Sequence, residues 1–328
     1  MKLIIQIPCY NEEKTLPHTI RDLPKEIPGV DEIEYLVIDD GSTDRTVEVA
    51  RELGVHHIVR QPRNRGLAMT FMTGIDACLR LGADIIVNTD GDNQYKGQDI
   101  PKLIQPILEG KAEVVVGDRQ TDTIEHFSPL KKKLQKLGSW VVRKASRTNV
   151  IDTTSGFRAY SRDAAMRLNV VSEYSYTLET IIEAGSRKVA IENVQIGTNE
   201  KLRESRLFKS MWGYIRKSGT TIIRIYSMYR PLRVFLTMGL ILFLAGFLIG
   251  VRFLHFYFNG QGSGHIQSLI LASILIITGF QLGVFGLLAD AIAAIRKIND
   301  ELLYRVKKLE YDRDRKEDSG ENTELSSL

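Results

Sequence analysis

The chain has 328 residues, of which 43% are hydrophobic and 26% charged, with nine prolines; this fits a folded protein with a core and excludes a disordered, collagen-like or disulfide-stapled chain. Its 44 basic and 40 acidic residues leave a formal net charge of +4, which gives no reason to expect a nucleic-acid partner. Cys9 and Cys78 lack CxxC or metal-ligand spacing and read as reduced thiols in a cytosolic compartment.

The opening run from Met1 to Pro8 is too short for a signal h-region and has no small-residue cleavage site, so the N-terminus is expected to stay in the cytosol. From Met1 to Gly117 apolar strands alternate with amphipathic helices. Strands are expected at Leu3 to Pro8, Tyr35 to Asp39, His57 to Arg60, Ile85 to Thr89 and Val114 to Gly117, with helices near Lys14 to Leu23, Thr43 to Leu53, Leu67 to Leu81 and Asp99 to Leu108. That order predicts an α/β sandwich with a mostly parallel sheet.

Between Leu207 and Arg233 there are six basic residues (Lys209, Arg216, Lys217, Arg224, Arg230 and Arg233) and no acidic ones. Interleaved with Phe208, Trp212 and Ile215, they predict amphipathic helices over 207–232 lying on anionic headgroups. Two uncharged runs follow, Val234 to Val251 and Ile266 to Ala289, separated by a polar turn from Asn259 to His265. Their lengths predict two membrane-spanning helices, 233–258 and 266–290. Basic residues flank the outer ends of the pair (Arg230, Arg233; Arg296, Lys297) and none lies in the turn, which predicts a multi-pass protein of the cell membrane with both termini cytoplasmic. In the last segment, 291–328, Ile295, Ile298, Leu302 and Leu309 fall near heptad spacing. A helix there would either zip to another copy, making a homo-oligomer, or lie on the protein itself. The end from Asp312 is polar and expected to fray.

Ligands of an open parallel sheet sit beyond the carboxyl ends of its strands, and three polar clusters fall at three such ends. They are Pro8-Cys9-Tyr10-Asn11-Glu12-Glu13, Asp39-Asp40-Gly41-Ser42-Thr43-Asp44 and Asp90-Gly91-Asp92-Asn93-Gln94. Taken singly, Asn11 or Thr43 could cap a helix and Gly41 could serve a turn; three together point to one site. Asp90 and Asp92, two residues apart where a strand opens into a loop, can turn toward one hard cation, Mg2+ or Mn2+. Asp39 and Asp40 are acceptors suited to a base N–H or a ribose hydroxyl. Walker A and GxGxxG patterns are both missing.

The segments IPCYNEE, VIDDGSTDRT and NTDGDNQ resemble the nucleotide-sugar domain of family 2 glycosyltransferases of the GT-A fold, over roughly Leu3 to Arg119. The resemblance implies that Pro8, Tyr10, Glu12, Asp39, Asp40 and Asp90 hold the nucleotide, and that Asp90 and Asp92 meet the diphosphate and its metal, with Gln94 a further contact. Asp152-Thr153-Thr154-Ser155-Gly156-Phe157-Arg158 resembles the D-x-TSGFR element of polyprenyl-phosphate glycosyltransferases of the dolichyl-phosphate mannose synthase type. Val116-Gly117-Asp118-Arg119, the basic stretch Lys131 to Arg147 and Glu204-Ser205-Arg206-Leu207 extend that likeness. It implies an acceptor-phosphate site from Arg119, Lys133, Ser155, Arg158 and Arg206, with Asp92, Asp152 and Arg158 in the catalytic group and Asp152 the base or orienting carboxylate. Asp118 stands where such enzymes carry a small residue or serine, and Lys132 and Lys133 where they often carry arginine.

The expected architecture is therefore a GT-A catalytic domain over 1–206, interfacial helices, a two-helix membrane hairpin and a C-terminal cytoplasmic helix. The expected activity is an inverting, metal-assisted transfer from a UDP- or GDP-linked sugar to undecaprenyl or dolichyl phosphate at the bilayer. Alternatives are a transferase acting on another lipid or a polysaccharide, and a noncatalytic membrane scaffold. A processive polysaccharide synthase is disfavoured by the single helical pair and the missing QxxRW.

Overall fold

The computed structural model describes residues 1–120, 138–144, 146–170, 176–200, 216, 219–220, 223–224, 226–227, 229–260 and 262–318. The chain forms two compact units, residues 1–222 with 301–328, and residues 223–300.

The first unit is built on a seven-stranded sheet of β1 (Lys2–Cys9), β2 (Glu32–Asp39), β3 (His57–Arg60), β4 (Ile85–Asn88), β5 (Val114–Asp118), β6 (Arg158–Ser161) and β7 (Ile191–Gln195). The spatial order is β3-β2-β1-β4-β6-β5-β7. All pairs are parallel except those made by β6, which runs antiparallel to both β4 and β5. The five strands expected in the first 117 residues are present. β6 and β7 add a return leg whose short β6 places the Ser155-Gly156-Phe157 run beside the carboxyl end of β4.

Leu3, Ile4, Ile5 and Ile7 of β1 and Ile86 and Val87 of β4 are fully buried, the continuous apolar run expected of central parallel strands covered on both faces. The helices packing on them are α1 (Leu16–Asp22), α2 (Thr46–Glu52), α3 (Leu67–Arg80) and α4 (Ile100–Leu108), followed by α5 (Arg162–Arg167) and α6 (Tyr176–Arg187). Ala68, Phe71, Ile75, Cys78 and Leu79 give α3 its buried face at the helical period. Gly74 lets α3 approach the sheet closely: a Cβ there would fall 2.7 Å from Ile38 Cδ1. The Ser161 hydroxyl accepts from Ala164 N at the start of α5, an N-cap.

The second unit contains α7 (Pro231–Phe258), a short 3-10 turn (Gly262–His265) and the first part of α8 (Ile266–Asp318). Both helices are long and apolar enough to cross a membrane, with mean hydropathies of 2.6 and 2.1 over their best windows. They pack through small residues. A Cβ on Gly239 would meet Gly279 O at 2.6 Å, and one on Gly246 would meet Ala272 O at 2.8 Å, the close backbone approach that glycine permits between apolar helices.

The expected second span ends at 290, but α8 continues as one helix to Asp318. Its distal part, from Glu301, belongs to the first unit and packs there on α3 and α5. Tyr304 and Tyr311 are buried there, their hydroxyls bonded to Asp163 and Asp76. Lys307 Nζ donates to Leu168 O at 3.2 Å, and Arg80 pairs with Glu310 at 2.8 Å. The guanidinium of Arg167 stacks over the Tyr304 ring at 3.9 Å. Of the two arrangements expected for this segment, the helix lying on the protein is present. Most of the expected amphipathic segment 207–232, including Trp212, lies outside the described residues, as do Lys132, Lys133 and Arg206.

Candidate active site at the carboxyl edge of the sheet

β1 lies between β2 and β4, so the three acidic clusters leave the sheet side by side. The first two are clasped by reciprocal bonds. Asn11 N donates to Ser42 Oγ and Glu12 N to Thr46 Oγ1, both at 2.8 Å, while Thr43 N returns a bond to Asn11 Oδ1 at 2.8 Å. Asn11 therefore ties two loops together rather than capping its own helix, and it does so from the left-handed region (φ 55) that asparagine tolerates. The third cluster packs on the first, since a Cβ on Gly91 would sit 3.0 Å from Cys9 Sγ.

Asp39 is fully buried. Its Oδ1 accepts from Ser42 N at 3.1 Å, and its Oδ2 accepts no hydrogen bond among the described residues, with Arg60 Nε 3.4 Å away. A buried, underused carboxylate oxygen is costly unless a ligand supplies the donor. Asp40 is differently employed: its two oxygens take Arg65 N (2.7 Å) and Gly66 N (3.0 Å). That holds the loop before α3 against Gly41, whose own φ of +71 and contact with Arg63 leave no room for a side chain. Tyr10 is exposed beyond β1, Pro8 is buried within it, and buried Glu12 accepts from Thr15 Oγ1 at 2.6 Å.

Burial pushes the Cys9 thiol well above its ordinary value, and Glu12, Asp39, Asp44 and Asp90 reinforce the effect. Cys9 thus reports a strongly negative basin and is no nucleophile. Asp90 and Asp92 are half-buried on opposite sides of Gly91. Asp92 Oδ1 accepts from Gln94 N at 3.2 Å, so Gln94 positions Asp92 through its backbone. Among the described residues no three His, Cys, Asp or Glu side chains form a ligand set. Two hard carboxylate donors with further positions left open fit a divalent cation that also takes phosphate oxygens.

The second motif joins this basin from the other side. A Cβ on Gly156 would fall 3.1 Å from Asp90 Oδ1 and 2.8 Å from Tyr176 Oη, so only glycine lets the loop reach Asp90. Gly156 is held by Tyr95 Oη on its N–H and by Asn88 Nδ2 on its carbonyl, and Tyr95 stacks on Phe157 with centroids 5.0 Å apart. Beside it Arg119 grips Asp152 as a fork, Nε to Oδ2 at 2.7 Å and Nη2 to Oδ1 at 3.0 Å, and Nη2 also reaches Thr154 Oγ1. Burial alone would raise the Asp152 carboxyl, but Arg119 and Thr154 outweigh it and hold it below the usual carboxylate range. Burial would lower the Arg119 guanidinium, but Tyr95, Asp152 and Asp90 outweigh it and hold it above its ordinary value.

Arg158 stands elsewhere than the sequence led us to expect. Its guanidinium is fully buried and donates to Ser155 O (2.8 Å), Thr180 Oγ1 (2.7 Å) and Thr153 O (3.1 Å). It is a bracket under the 152–156 loop. Ser155 Oγ is buried without a hydrogen-bond partner among the described residues. Sequence reasoning missed Tyr95, Asn88 and Tyr176, which hold Gly156; the Tyr following Gln94 was a visible but unremarkable signal.

Comparison with known proteins accords with this geometry. The pattern of glycosyl transferase family 2 matches residues 4–168. A UDP-N-acetylglucosamine–dolichyl-phosphate N-acetylglucosaminyltransferase from Methanococcus voltae is 33% identical over 216 residues, 58% of this chain and 83% of the relative. An undecaprenyl-phosphate mannosyltransferase from Micrococcus luteus is 25% identical over 233 residues, 68% and 93% of the two chains. Among solved structures, glucosyl-3-phosphoglycerate synthase from Mycobacterium tuberculosis in complex with Mn2+, UDP-glucose and phosphoglyceric acid shares the fold. It superposes with a TM-score of 0.56 at 22% identity, covering 69% of this chain and 80% of that one. The chain belongs to glycosyl transferase family 2 and is a glycosyltransferase of GT-A fold related to the polyprenyl-phosphate sugar transferases.

Proposed function

We propose that the protein is a membrane-anchored, inverting transferase that moves a sugar from a UDP- or GDP-linked donor to polyprenyl phosphate on the cytoplasmic face of the membrane. The observation that carries this is the close approach of Gly156 to the Asp90 carboxylate, where a Cβ would fall 3.1 Å from Oδ1, which joins the acidic basin of the donor to the loop resembling the lipid-phosphate element. Support for the acceptor class comes from the names of the Methanococcus and Micrococcus relatives. Support for the membrane comes from two helices of sufficient length and hydropathy, and the basic residues outside them favour cytoplasmic termini.

In this scheme Asp39 Oδ2, which faces Arg60 Nε at 3.4 Å but accepts no hydrogen bond among the described residues, receives an N–H or hydroxyl of the nucleoside, with Tyr10, Pro8 and Glu12 lining the same cleft, while Asp40 acts by fixing the loop before α3. Asp90 and Asp92 would hold Mg2+ or Mn2+, as the Mn2+ in the Mycobacterium structure supports, and the cation would neutralise charge on the departing diphosphate. Arg119 keeps Nη1 without a bond among the described residues while its other edge is locked on Asp152, and it presents that nitrogen to the lipid phosphate, an arrangement suited to a guanidinium. Ser155 Oγ supplies a further contact; Lys133 and Arg206 would complete the anion site. A phosphate with a second pKa of about 6 is ionised at neutral pH, so the acceptor oxygen needs no base to attack C1. Asp152 then orients Arg119, and Arg158 supports the loop beneath.

The test is a donor screen with the full chain in detergent, Mn2+ and C55 or dolichyl phosphate. A lipid-extractable sugar phosphate is expected with one donor. Polymer, or donor hydrolysis without a lipid product, would refute the acceptor assignment.

A further inference from the structure

The distal half of α8 carries an apolar pattern that its contacts with the first unit leave unused. Ile292, Asn299 and Val306 recur every seven residues, and Ile295, Leu302 and Leu309 each follow three residues later. These are the a and d positions of a heptad. All six are exposed, the five aliphatics by 55–74%. Tyr304, Lys307 and Tyr311, which dock on the first unit, occupy f and b positions of the same heptad, on the opposite side of the helix. Docking therefore turns Leu302, Val306 and Leu309 outward, and Ile292, Ile295 and Asn299 continue the same pattern along the helix within the second unit.

We propose that this seam pairs with the same seam of a second copy as a parallel two-stranded coiled coil. Three features single out that occupant. β-branched Ile292 and Val306 at a with Leu302 and Leu309 at d are the combination that favours two parallel strands, Ile295 being the one d position that departs from it, and a lone Asn299 at a fixes register and oligomer state. The flanks are complementary in the parallel register: Arg305 at g lies opposite Glu310 at e of the partner, and Ile298 lies opposite Leu303. Within the protomer Glu310 Oε1 already takes Arg80 and Arg305 Nε takes Glu301, leaving Glu310 Oε2 and the terminal nitrogens of Arg305 for the partner. Copies inserted the same way in one membrane also present their helices in parallel; that last point alone rests on the membrane placement proposed above.

The test is the mass of the full chain in detergent at micromolar concentration, by light scattering or native mass spectrometry. A dimer is expected, weakened by about 100-fold or more on replacing two exposed leucine knobs together (Leu302→Glu with Leu309→Glu). Because both side chains are exposed in the protomer, its unfolding temperature should hold. Asn299→Cys should form an intersubunit disulfide on mild oxidation, since Cys9 and Cys78 are buried and an in-register parallel pair brings the two 299 positions together. A monomeric wild type, a dimer indifferent to the double substitution, or no crosslink at 299 would each overturn the proposal. So would a monomer whose vesicle binding falls with the double substitution, because the seam would then lie on lipid. Dimerisation without lipid-linked product would instead count against the acceptor assignment alone.

Discussion

Asp152→Asn separates two roles that a carboxylate beside an arginine can play. The wild-type fork buries both partners, the side chains of Arg119 and Asp152 being 9% and 2% exposed. Removing one member of such a pair costs about 3–5 kcal/mol when nothing replaces it. Asparagine keeps one acceptor and presents an amide donor to the other guanidinium nitrogen, so the expected loss is about 2–3 kcal/mol. At about 2–4 °C per kcal/mol for a unit of this size, the unfolding temperature should fall by about 5–10 °C. For catalysis, a misaimed Arg119 should raise KM for polyprenyl phosphate by about 10–100-fold, one charge-assisted contact weakened, with kcat much less affected. The carboxyl is held below the ordinary value. Its contribution to stability is therefore fully present above the unfolded pKa of about 3.9 and lost only as pH falls through the lower native value, so the fork adds no pH dependence between pH 5 and 9. Thermal melts and steady-state kinetics across that range check all of this. A collapse of kcat by about 100-fold or more with KM unchanged, together with loss of the acidic limb of the rate profile, would make Asp152 a general base and refute the reasoning.

Gly156→Ala puts a methyl 3.1 Å from Asp90 Oδ1 and 2.8 Å from Tyr176 Oη; turnover should fall at least about tenfold, with a higher Mn2+ concentration needed for half-maximal rate and a melt shifted by only a few degrees. Arg158→Lys replaces three fixed donors with an ammonium whose geometry cannot match that fork, and should destabilise the catalytic unit by about 3 kcal/mol in denaturant titration. Cys9 and Cys78 are both buried with thiols pushed well up, first by burial; neither should react with a maleimide at pH 8 until the protein is unfolded, and labelling of the native chain would contradict the packing of Gly91 on Cys9.

The first five strands could be read because their apolar residues are continuous and bounded by Gly, Asn and Asp, the pattern burial on both faces imposes. β6 and β7 escaped notice for physical reasons. β6 has four residues headed by an arginine, and β7 reads Ile-Glu-Asn-Val-Gln at the sheet edge, half-polar because one side is open. The three acidic clusters could be placed at one site because parallel topology puts every strand's carboxyl end on one edge. The Arg119–Asp152 fork spans 33 residues and joins two strands' ends through a fold reversal that no local pattern encodes. Arg158 reads as a phosphate ligand through the resemblance of its loop to the D-x-TSGFR element, and its burial, rare for an arginine, follows from the loop carbonyls it must satisfy. The C-terminal helix showed its heptads and allowed for docking on the protein, but not the docking partners, since those of Tyr304 and Tyr311 are Asp163 and Asp76, far away in sequence.

The most direct measurement is binding of UDP and GDP to the full chain by calorimetry, with and without Mn2+, in wild type and in the variant combining Asp90→Ala with Asp92→Ala. One of the two nucleotides should bind wild type tightly only with the cation, and the double variant should lose that Mn2+-dependent gain together with all transfer to polyprenyl phosphate while melting as the wild type does. Cation-dependent binding and lipid-linked product that survive both substitutions would contradict the assignment of Asp90 and Asp92 to the diphosphate.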